Sequence, residues 1–172
     1  MSWIRNLTGL WIMFAVITAV GVLLNSFAWL MDRILALPPL PPAPLNAYLF
    51  VAALSMVIGL FWLLWAYSYL RFVGRGSPIE LLGLGLYPTE QLVTTGPYAY
   101  TRNPMFLGLL FLLLAVGLLN GSITALVLLP IVTLAGLEYI RVYEEPVLAE
   151  RFGEEYRLYR RSSPALIPRL RR

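Results

Sequence analysis

The chain has no cysteine, no histidine and no lysine, and charged residues make up only 13% of its 172 positions. Without cysteine there are no disulfides and no thiolate nucleophile. Without either cysteine or histidine, the usual zinc sites and imidazole proton transfer are excluded. Any chemistry falls to carboxylates, arginines, tyrosines, backbone groups or a bound cofactor. Every basic side chain is an arginine, and the net charge is +4.

Long uncharged runs take the place of the missing charge. Leu7 to Met31 and Asn46 to Leu70 hold no charged residue. At about 1.5 Å per residue, each can cross a hydrocarbon core of about 30 Å. Asn103 to Leu137 is a third such run, broken by Asn120-Gly121-Ser122 into two segments at the lower limit for spanning. The pattern predicts an all-α integral membrane protein with about four transmembrane helices, near 7–31, 46–72, 103–119 and 122–142. A cytoplasmic C-terminal helix follows, with cytoplasmic loops capping a pocket. A single domain, 1–172, accommodates this length, with two N-terminal helices in 1–75. The first run is too long for a signal-peptide core and is read as a membrane helix.

The run from Leu37 to Pro44 is too rich in proline to be helical and reads as an extended strap. The second connection, about 74–102, is long and rich in glycine and proline. Ile79, Leu81, Leu82, Leu84, Leu86 and Tyr87 argue for its being ordered. With four crossings, Arg5, Arg71, Arg75, Arg102 and the arginine-rich C-terminus fall on one side, and Arg33 alone on the other, beside Asp32. The positive-inside bias puts both termini and the long loop in the cytoplasm. The expected location is a bacterial or archaeal cytoplasmic membrane.

Two polar clusters stand at that face. In the first, Asn103 is a favoured helix N-cap and Pro104 suits the first helical position, so helix capping alone explains the pair. A helix N-terminus also offers free N–H groups to an anion. In the second, Glu138, Arg141 and Glu145 follow i, i+3, i+7 spacing, and Arg141 and Glu145 are spaced for an i, i+4 ion pair. Such a cluster is either an interfacial salt-bridge set or a functional site, since carboxylates near hydrocarbon are costly. Pro146 either kinks this helix or opens a new one. The tail after Ser162 reads as a docked extended segment.

Taken in order, Leu92-Val93-Thr94-Thr95-Gly96-Pro97-Tyr98, Arg102-Asn103-Pro104-Met105-Phe106-Leu107-Gly108, then Glu144-Glu145, Leu148, Phe152-Gly153-Glu154-Glu155-Tyr156, Tyr159 and Pro168 resemble the isoprenylcysteine carboxyl methyltransferase and phospholipid methyltransferase superfamily of membrane enzymes. The resemblance covers about 88–168. It implies S-adenosylmethionine as cofactor, with Gln91, Leu92, Val93, Tyr98, Asn103, Pro104, Met105 and Phe106 lining its pocket and Glu144 holding a polar group. It implies Arg141 as the substrate-side arginine, one position away from the family's spacing. The family's carboxyl methyltransferases typically carry histidine where Asn103 stands. Asparagine keeps the hydrogen bonding and loses the titration.

Methyl transfer from a sulfonium is an in-line displacement governed by alignment and desolvation. A carboxylate acceptor, with a reference pKa of about 4, needs no general base at neutral pH. An ammonium acceptor must first lose a proton, here to Glu138 or Glu145. The missing imidazole favours the carboxylate, which Arg141 or Arg102 can orient. The expected partners are a lipophilic or lipidated substrate from the bilayer and membrane lipids, not nucleic acid. The alternatives are a phospholipid amine N-methyltransferase, an NADPH-dependent reductase related to sterol reductases, and a non-catalytic membrane scaffold.

Overall fold

A computed structural model describes residues 2–38, 40, 45–76, 80–81, 84–85 and 89–169. Helix α1 spans Ser2–Ile34 and α2 spans Leu45–Phe72. A two-residue antiparallel pair follows, β1 (Glu80–Leu81) with β2 (Leu84–Gly85), and is the one departure from an all-α chain among the described residues. A 3-10 turn at Gly96–Ala99 leads into α3 (Pro104–Leu119). Then come α4 (Ile123–Tyr139), a wide π turn at Ile140–Glu144, and α5 (Glu145–Ser162).

Three helical stretches are long and apolar enough to cross a membrane, those beginning at Phe14, Ala47 and Ile123. The expected third segment, α3, is apolar but only 16 residues long, about 24 Å. Large side chains such as Trp11, Leu23, Phe50 and Leu134 point outward, as lipid-facing surfaces require.

The closest helix pair is α2 with α3. A Cβ on Gly59 would stand 2.8 Å from the Gly108 carbonyl oxygen, and a Cβ on Gly108 would stand 2.8 Å from that of Gly59. Paired glycines let two backbones approach where lipid gives no hydrophobic drive for association. Helices α3 and α4 form a hairpin through Asn120-Gly121-Ser122, and Phe106 lies against Gly136, where a Cβ would meet its ring at 2.2 Å. Helix α1 leans on α3 and α4 and is joined to them by polar contacts at one end. There the Asn120 side-chain amide donates to Asn25 Oδ1 at 2.8 Å. The Thr124 hydroxyl and N–H donate to Asp32 Oδ1 at 2.6 and 3.0 Å, and the Ser122 hydroxyl donates to Oδ2 at 2.5 Å. Asp32, which sequence alone marks only as a neighbour of Arg33, thus caps α4 from another helix.

Of the proline strap, Leu37, Pro38 and Leu40 are described and are not helical; Pro39 and 41–44 lie outside the described residues. So do Ile79, Leu82, Leu86 and Tyr87 of the long loop.

Pro146 resolves in favour of a new helix. It falls in the first turn of α5, where its missing N–H costs nothing. The Glu145 N–H reaches back five residues to the Ile140 carbonyl. This extra residue turns everything after it by about 100° relative to a regular helix. Glu145 therefore leaves the face it was expected to share with Glu138 and Arg141. Gly153, at φ 57, breaks the helical path within α5.

Candidate active site

The polar site is assembled where α3 begins. Gly96 has φ +59 and lies under the Tyr69 ring, where a Cβ would come within 2.3 Å, so only glycine fits the turn. That turn buries Pro97 and Tyr98. Ala66, Val93, Tyr98, Tyr156 and Tyr159 form a core here, with Leu92, Met105, Leu148 and Phe152 packed around it. The Tyr159 hydroxyl donates to the Tyr98 carbonyl at 2.7 Å. Burial pushes the Tyr98 phenol well above its ordinary range, and the Tyr159 phenol and the Glu144 carboxylate add to the effect. Glu144 is half-buried at the end of the π turn, close enough for Tyr98 to sense its charge.

Arg102 is the hub. One terminal nitrogen donates to Glu145 Oε1 at 2.6 Å, and the other donates to the carbonyls of Arg160 and Ser163 at 2.5 and 2.8 Å. Arg160 Nε holds the second Glu145 oxygen at 3.1 Å. The Glu145 side chain is 5% exposed and that of Arg102 is 12% exposed, so both charges are desolvated and depend on one another. Among the described residues, Arg102 Nε and Ser163 Oγ are the buried side-chain polar atoms that find no hydrogen-bond partner.

The C-terminal tail runs beside this hub, as expected for a docked segment. The Arg102 N–H donates to the Pro164 carbonyl at 2.9 Å and the Arg169 N–H to the Tyr100 carbonyl at 3.0 Å. The fully buried Thr101 donates its hydroxyl to the Ala165 carbonyl at 3.2 Å.

Asn103 corrects one expectation. It occupies the N-cap position, but its side chain makes no cap bond. The amide instead donates to the Ala165 carbonyl at 2.8 Å. With ψ 58 the backbone does not take the extended form that usually aims a cap side chain inward. The Arg141–Glu145 ion pair is a second correction. Arg141 is 73% exposed and pairs with Glu138 at 3.7 Å, while Glu145 turns inward to Arg102 and Arg160.

The remaining expected residues divide into two groups. Val93, Tyr98 and Pro104 are buried, and Leu92, Met105 and Phe106 are partly buried around them. Gln91 is exposed, with its N–H donating to the Gly74 carbonyl at 3.4 Å. Sequence reasoning missed Arg160, Thr101 and the tail carbonyls. Arg160 sits in a run of arginines that reads as topogenic charge, and backbone acceptors leave no trace in side-chain chemistry. An apolar groove between α1, α3 and α4, lined by Leu24, Leu113, Val116 and Leu128, lies toward the other end of α3 and has no part in this cluster.

Comparison with known proteins covers most of these elements. The protein-S-isoprenylcysteine O-methyltransferase of Schizosaccharomyces pombe is 34% identical over 77 residues, 45% of this chain. That match spans 33% of the relative's length. The profile of the phospholipid methyltransferase family matches residues 47–155, from the start of α2 into α5. With both polar segments of the site inside that match, the chain belongs to the phospholipid methyltransferase family.

Proposed function

We propose that this membrane protein transfers a methyl group from S-adenosylmethionine to a lipid-like or lipidated acceptor at the cytoplasmic face, with a carboxylate as the favoured acceptor. The observation that carries the reading is the gathering of Tyr98, Arg102, Asn103, Glu144 and Glu145, from two distant stretches of chain, around the start of α3. The family match and the curated relative's name support the same chemistry.

The residues fit such a cofactor by their chemistry. Glu144 offers an anion to an ammonium or to ribose hydroxyls, and the unpartnered, buried Arg102 Nε offers a donor to a carboxylate. Met105, partly buried against the core of Val93 and Tyr98, offers apolar surface to a purine. S-adenosylmethionine would supply an electrophilic methyl group on a sulfonium.

The chain's part is then to position and to exclude water. Both Glu145 oxygens are held by arginines, so the residue supports the site and neither oxygen is left free to serve as a general base. A carboxylate acceptor requires none. Arg102 is committed to Glu145 and the tail, so Arg141 is the better placed to meet an acceptor arriving from the bilayer. Its exposed pair with Glu138 is weak and easily exchanged.

The test is binding of labelled S-adenosylmethionine against NADPH by the purified protein, followed by methyl transfer to a prenylcysteine carboxylate or to phosphatidylethanolamine. Glu144→Gln should weaken S-adenosylmethionine about tenfold or more, the worth of a charge-assisted hydrogen bond, without loss of thermal stability. Binding of NADPH alone, or of neither, would overturn the reading; transfer to the amine would move the acceptor class.

A further inference from the structure

We infer that the second half of α5 and the tail form a surface that rests on anionic lipid headgroups of the membrane in which the protein sits. From Arg157 to Arg172 the chain carries six arginines and no acidic residue. Arg160 is half taken up by Glu145, but Arg157, Arg161 and Arg169 are exposed. Arg157 meets only Glu154, at 3.3 Å on an exposed surface, a pair of little strength.

Leu158 and Ile167 lie among these arginines, 57% and 80% exposed. Exposed apolar side chains interleaved with arginines are the composition of a segment that lies in the headgroup layer. The charge is the complement of an anionic lipid surface.

Position makes the same point. Helix α5 follows α4 through the π turn with no linker, so it starts at the membrane edge. The tail cannot drift away into water, because Arg102, Asn103 and Tyr100 pin it at Pro164, Ala165 and Arg169, next to the first turn of α3. Basic and apolar groups are therefore held at the depth where headgroups lie.

The absence of cysteine makes the test clean. Full-length Ile167→Cys, carrying an environment-sensitive fluorophore, is placed in nanodiscs of phosphatidylcholine alone or of three parts phosphatidylcholine to one part phosphatidylglycerol. Quenching by acrylamide, a neutral solute, reads the exposure of the label. The label should be shielded in the anionic discs only. Shielding should vanish at about 1 M salt, where screening acts within about 3 Å. Combining Arg157→Gln, Arg161→Gln and Arg169→Gln should weaken the association roughly a hundredfold, while Arg160 and the Glu145 network stay intact. Equal shielding in both kinds of disc would mean apolar insertion without charge recognition, and no shielding in either would mean a solvated tail; each overturns the inference. None of these readouts depends on methyl transfer, so the inference and the proposed activity can fail separately.

Discussion

Asp32 and Glu145 are both carboxylates set against helix ends, at opposite ends of α3, and they are held in different ways. Asp32 accepts from the Ser122 and Thr124 side chains and the Thr124 N–H, all within the first turn of α4. Its partners are neutral and all come from one turn of another helix. Glu145 is held by Arg102, from the segment before α3, and by Arg160, from the far end of its own helix, and Arg102 also gathers the carbonyls of Arg160 and Ser163. A buried ion pair of that kind contributes little net stability against an apolar substitute, yet is costly to break once present. The Asp32 end ties two helices together. The Glu145 end draws in the 3-10 turn, α3, α5 and the tail, and keeps the unpartnered Arg102 Nε at its centre. Among the described residues, only the second arrangement leaves a buried side-chain donor of its central residue unpaired.

The comparison can be broken by measuring what each carboxylate is worth. Glu145→Gln should have the largest effect, about 3–5 kcal/mol of unfolding free energy in detergent, because Arg102 keeps its charge in a dry site. The tail should become a protease substrate at Arg169 in the same variant. An unchanged unfolding transition would show that the arginines are solvated. Asp32→Ala should cost less, about 2 kcal/mol, the worth of a cap with more than one bond. A larger loss there than at Glu145 would reverse the ranking of the two ends.

The smallest effect sharpens the picture at alkaline pH. The folded chain holds the Tyr98 proton more tightly than the unfolded chain does. This contribution is complete below the ordinary tyrosine pKa of about 10 and is lost as pH rises beyond it. Tyr98→Phe should flatten the alkaline fall in stability and leave neutral pH nearly unchanged. An identical alkaline slope in wild type and variant would show that the phenol is wet.

How much of this was legible beforehand follows the range of the interactions. The helices could be read because uncharged runs and the onset at Pro104 are local signals. The two polar segments could be expected at one face from the arginine bias, and Arg102 does meet Glu145. The assignment of partners could not. Asn103 reads as a cap since Asn-Pro is a local pattern, but its amide is taken by a carbonyl 62 residues away. Arg141 and Glu145 read as a pair because a regular helix would align them, and the π turn leaves no clear mark in sequence beyond Pro146. Asp32 looked like a companion to Arg33, and its cap role depends on how α1 leans against α4.

The glycine crossing of α2 and α3 bears on how this sequence can drift. At most packed positions a bulkier residue on one side can be offset by a smaller one on the other. Here a Cβ at Gly59 would meet the Gly108 carbonyl as well as the Leu112 side chain, and a Cβ at Gly108 would meet the Gly59 carbonyl as well as the Leu63 side chain. No substitution trims a backbone oxygen. Each position is closed to second-site rescue by the other, so a change at either must shift a whole helix, and with α3 the site at its first turn.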